Sequence, residues 1–175
     1  MRSNELVIRH VLITDRKVSL DECAYSLPWR NDLICMNFDR PETMVLPEDI
    51  PLLNRDEIET MVIGCILDDC TFLKEFHELK ELYIYDGRKV EDLSFTETMT
   101  FLKQFVLYHS HVHSIHPLVT LLERKKERIK GNQISDWFPY AMEGICIHSD
   151  QNIIDKEDLY AYQRYVSEII LSDNS

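Results

Sequence analysis

The densest run of chemistry-capable side chains is His109-Ser110-His111-Val112-His113-Ser114-Ile115-His116. In an extended segment alternate residues share a side, so His109, His111 and His113 would face one way, and three imidazoles suffice for a catalytic zinc. No carboxylate or cysteine adjoins them, and the run falls where a loop should leave a strand. A solvated turn with Val112 buried is therefore preferred, and a metal-dependent hydrolase built on these histidines is kept as the alternative. Cys65 and Cys70 flank Asp68 and Asp69, but their spacing is wrong for a zinc knuckle and no second pair follows, so core thiols are expected. The basic run Arg124-Lys125-Lys126-Glu127-Arg128-Ile129-Lys130 reads as a solvated helix face. GxSxG, P-loop, Rossmann glycine and HExxH patterns are all missing from the sequence. These observations predict no catalytic residue, no metal site and no cofactor.

The elements that position such side chains show in the apolar pattern. A triplet with the spacing Φ-x-x-Φ-x-Φ occurs at Ile8, Val11, Ile13; at Leu33, Met36, Phe38; and at Ile58, Met61, Ile63. It returns at Leu79, Leu82, Ile84; at Leu102, Phe105, Leu107; and at Met142, Ile145, Ile147. Successive first residues are 25, 25, 21, 23 and 40 positions apart. A step of just over twenty residues suits one strand plus one return segment. A competing register, Thr71-Phe-Leu-Lys against Thr100-Phe-Leu-Lys, does not extend to the other segments. The second and third triplet positions would face a shared core, with parallel strands stacked about 4.8 Å apart. Return-segment residues such as Leu46, Ile50, Leu53, Phe72, Phe76, Leu93, Met99, Ile115 and Leu118 would close its other wall.

Over roughly residues 6–155 this pattern resembles the leucine-rich-repeat family. The family's asparagine, three places after the third triplet residue, is replaced by Arg16, Pro41, Ile66, Gly87, Ser110 and Asp150, which marks a divergent member with variable turns. The resemblance implies an α/β chain: a short solenoid with one parallel sheet, irregular return segments or helices, and a C-terminal capping helix. A single domain spanning 1–175 is expected, with repeats over about 6–154. An insertion at 116–140 begins with a helix at His116-Pro117 that stops near Gly131, its stripe being Leu118, Leu121, Leu122 and Ile129. The capping helix would span about 155–171, with Asp155 and Asp158 as caps and Leu159, Tyr162, Val166, Ile169 and Ile170 on one face.

In this register a mostly apolar column points away from the core: Leu12, Asn37, Val62, Tyr83, Val106 and Cys146. An exposed strip of this kind marks an interface. Leu12, Asn37, Val62, Tyr83, Tyr85, Val106, Tyr108 and His148 are the expected partner-binding residues, with the tyrosines as anchors. With 31 acidic against 19 basic residues and a net charge of −12, the surface repels nucleic acid and attracts a basic protein. The function expected is a protein–protein interaction module, in a sharper version an acidic immunity-type inhibitor of a basic protein; self-association as a homodimer is a further alternative. The five cysteines are scattered and the N-terminal apolar stretch is broken by Arg9 and His10, which predicts a cytoplasmic chain without signal peptide or membrane span.

Overall fold

Five of the six triplets become strands or their lead-ins. A computed structural model of the chain, which describes residues 8–15, 43–131 and 141–174, contains strands β1 (His10–Ile13), β2 (Thr43–Val45), β3 (Thr60–Ile63), β4 (Glu81–Ile84), β5 (Gln104–Ser110), β6 (Met142–Ser149) and β7 (Val166–Ser172). They form one seven-stranded sheet in the order β2-β1-β3-β4-β5-β6-β7. Every pairing is parallel. The sheet is open, and among the described residues β2 and β7 are its edges.

The register follows the triplets. Val11, Met61, Leu82, Phe105 and Ile145 align across β1, β3, β4, β5 and β6, and so do Ile13, Ile63, Ile84, Leu107 and Ile147. All ten are at most 1% exposed. Parallel strands need crossovers on one side of the sheet, and here the crossovers are brief. The 3-10 turns Thr71–Glu75 and Ser94–Thr98 carry Phe72, Leu73, Phe76, Phe95 and Met99 into the main core or against it. Each turn opens on an aspartate: Asp69 accepts the Thr71 N–H at 2.7 Å and its hydroxyl at 2.8 Å, and Asp92 accepts the Ser94 N–H at 3.0 Å. Thr71 and Ser94 thus occupy equivalent places, which removes the Thr71/Thr100 register.

Helix α1 (His116–Gly131) matches the expected insertion helix, with Leu118, Leu121 and Leu122 fully buried and Ile129 packed against the core. Its entry is held from a distance: the Asp155 carboxylate accepts the Ile115 N–H at 2.9 Å and the Ser114 hydroxyl at 2.6 Å. Asp155 does this instead of capping its own helix, where its side chain makes no cap bond.

Three expectations are corrected. Strand β1 pairs with β3 on one flank and with β2 on the other, so the strands do not stack in simple chain order. The segment Thr43–Val45, which the triplet pattern does not single out, takes the outer place; the Leu33, Met36, Phe38 triplet lies outside the described residues. The C-terminal helix over 155–171 is replaced by a one-turn helix α2 (Lys156–Tyr160) followed by β7. Val166, Ile169 and Ile170 fit a helical period, but Val-Ser-Glu-Ile-Ile-Leu-Ser is rich in β-branched residues that favour strands. As a strand it buries Val166 and sets Ile169 and Leu171 against the core beside Ile145 and Ile147. Of the basic run on α1, Arg124, Glu127, Arg128 and Lys130 are exposed, as a solvated helix face requires, but Lys125 is buried. Arg124 donates to the Glu97 carbonyl at 2.6 Å, Lys126 lies over the Tyr162 and Tyr165 rings, and Arg128 lies over Phe101.

Candidate functional site

On the face opposite the main core each strand contributes one residue to a single row. Met44, Leu12, Val62, Tyr83, Val106, Cys146 and Ile170 are aligned across β2, β1, β3, β4, β5, β6 and β7. This is the column expected from sequence without Asn37, since Leu12 aligns directly with Val62, and with Met44 and Ile170 added at its ends. All of it but Ile170 forms a second, smaller apolar cluster with Tyr85 and Tyr108. The ring of Tyr85 stacks on Tyr83 at 6.4 Å and on Tyr108 at 6.0 Å, nearly parallel in both cases. The Cys146 thiol lies 3.6 Å from the Tyr108 hydroxyl.

The strip was expected to be open to solvent, and most of it is not. Leu12, Val62, Tyr83, Tyr85 and Val106 are buried. Tyr108 and His148 are partly exposed, and Asn37 lies outside the described residues. Exposure rises towards the last strands: Val106 is 4% exposed, Cys146 is intermediate, and Ile170 is 46% exposed. What remains accessible of the expected face is therefore its β5–β7 end.

The histidine run does not converge. Strand β5 is irregular against β6 between Leu107 and Ser110, and His109 there takes φ of 53°. A bulge inserts one residue there; exposed His109, intermediate His111 and exposed His113 alternate with buried Ser110 and Val112. Among the described residues no three His, Cys, Asp or Glu side chains form a group that could hold a metal ion. His109 packs edge-on against the His148 ring at 5.5 Å, and His111 reaches Asp150 at 3.9 Å. Val112 is buried, as expected. Beside this end of the sheet, Arg88 donates twice to Asp86, at 2.7 and 2.8 Å, and holds its carboxyl below the usual aspartate range.

The thiols fit the expectation of core cysteines. Cys65 is buried and Cys70 packs against the core. Burial pushes both thiols up to about 11, which makes them poor nucleophiles. Cys65, Cys70 and Cys146 are unbridged.

One group escaped the sequence reading. Lys125 is 7% exposed and donates to the Ala141 carbonyl at 3.1 Å; desolvation pulls its ammonium down to about 8, with Arg128 and Lys103 adding repulsion. The signal was present: Lys125 sits seven residues after Leu118 and four before Ile129, on the apolar stripe.

These features define an α/β protein built on a single open parallel sheet with few helices. No helix among the described residues is long and apolar enough to cross a membrane. Compared with known proteins, the chain matches no family model, no curated protein and no solved structure.

Proposed function

We propose that this chain is a non-catalytic protein-binding domain, a divergent leucine-rich-repeat solenoid that engages its partner through the β5–β7 end of the strand-lined face. The observation that carries the reading is the row's gradient, from buried Val62 and Val106 to half-exposed Ile170. An apolar row that is buried through its middle, partly exposed at Met44 and half-exposed at Ile170 offers a defined patch at its β5–β7 end, bordered by Tyr108 and His148. Aromatic side chains at such a border bury much area at low entropic cost. The net charge of −12 favours a basic partner, in the manner of an immunity-type inhibitor, and disfavours nucleic acid. Unbridged thiols suit a cytoplasmic setting.

The test begins with capture of bound proteins from the native cell and continues with titration of the purified partner. Tyr108→Ala/His148→Ala is expected to weaken that complex at least tenfold, and raising salt from 50 to 300 mM should weaken it further. Equal affinity of both forms would remove the face from the interaction.

A further inference from the structure

The strand β7 ends the sheet, and edges left unpaired invite a further strand. Proteins blunt such edges by shortness, proline, lysine or bulges. The opposite edge, β2, uses the first device, with three residues in Thr43–Val45. Strand β7 lacks those four, and of the charged side chains that also protect edges it has a single glutamate. It is seven residues long, Val-Ser-Glu-Ile-Ile-Leu-Ser, and it pairs with β6 without a register shift. Its one charged side chain is Glu168, which is exposed together with Ser167, Ile170 and Ser172.

Resting on the protein-binding reading above, we propose that β7 is the docking edge: an extended segment of a basic partner adds to it as an eighth strand. Main-chain hydrogen bonds to β7 supply affinity, and two side chains set the choice. Glu168 and Ile170 lie two residues apart on one sheet face, aligned with Gly144 and Cys146 of β6. The incoming strand therefore carries a lysine or arginine opposite Glu168 and an apolar residue two positions away opposite Ile170. That apolar residue extends the row Val106, Cys146, Ile170 by one place. A second copy of the chain is the poorer occupant. A two-fold β7–β7 pairing gathers both Glu168 carboxylates on a short ribbon between two molecules of net charge −12.

The test uses the full chain and two end-capped strand peptides, identical but for one residue. Both hold a valine two positions from a variable site, which is lysine in one and glutamate in the other. Hydrogen exchange is read over Val166–Ser172, with circular dichroism confirming that each variant is folded. The lysine peptide is expected to protect β7 and to bind at least tenfold more tightly than the glutamate peptide. Glu168→Lys should reverse that order, and Ile170→Asp should abolish binding of both. Leu52→Ala, at an exposed residue beside the opposite edge, should retain peptide binding, while the partner titration with Tyr108→Ala/His148→Ala reads the face, so failure of the face and failure of the edge are read separately. Protection elsewhere than β7, equal binding of the two peptides, or concentration-dependent dimers that occlude the edge would each overturn the proposal.

Discussion

Lys125 shows how one residue reports on the packing around it. A lysine on the apolar stripe of α1 is held by a single carbonyl, and its depressed ammonium means that folding disfavours the charged form. Below pH 8 the group is charged in both states, so the folded chain bears the whole penalty, at most about 3 kcal/mol. Between pH 8 and 10.5 the folded chain has shed the proton while the unfolded chain keeps it, and stability rises with pH. Lys125→Met keeps the apolar stem and removes the charge. It is expected to stabilise the protein by roughly 1–2 kcal/mol at pH 7, after losing one hydrogen bond. The gain should fade as pH rises from 8 to 10.5. Urea denaturation of both forms across that range checks it, and a destabilised Met variant at pH 7 would show that the ammonium is better solvated than its surroundings indicate.

At the scale of elements, the junction after β4 fixes how closely neighbouring strands pack. Gly87 donates to the Tyr108 carbonyl at 2.9 Å, and a Cβ there would stand 2.6 Å from Leu107 Cδ1 and 3.0 Å from the Tyr108 oxygen. Gly87→Ala is expected to destabilise the chain by about 1–3 kcal/mol, because backbone of β5 would have to yield. Gly144 is the contrast: a Cβ would meet only the amide end of Gln104, at 2.7 Å, which can swing aside. Gly144→Ala should fall within about 0.5 kcal/mol of the parent. Thermal melts of the two variants side by side make the comparison. The strands that the sequence made legible were those whose triplets carry the main core: Met61, Leu82, Phe105 and Ile145 land in one row. What stayed hidden has physical causes. The segment β2 is too short to show a period, and β7 has apolar spacing that fits a helix as well as a strand. The bulge at His109 uses a left-handed conformation that glycine would have advertised more plainly than histidine.

For the whole molecule, the sheet has two apolar faces of unequal role. The larger is closed by α1 and the 3-10 turns, and the smaller runs through stacked tyrosines to Cys146 of β6. The expected interface residues that are described lie on the face opposite the main core, yet five of them are buried, and Ile170, the most exposed member of the row, was assigned to a helix. Sequence period could place a side chain on a face; it could not say whether that face is covered. The candidate site, and the binding proposed for it, both depend on Val166–Ser172 being the seventh parallel strand. The most direct measurement is nuclear magnetic resonance of the isotope-labelled chain, reading backbone carbon shifts over these residues and cross-strand contacts to β6. Extended shifts, with amide-to-α-proton contacts linking the Ile145 and Ile169 neighbourhoods in parallel register, are expected. Helical shifts over Val166–Leu171, or contacts running in the antiparallel sense, would contradict it.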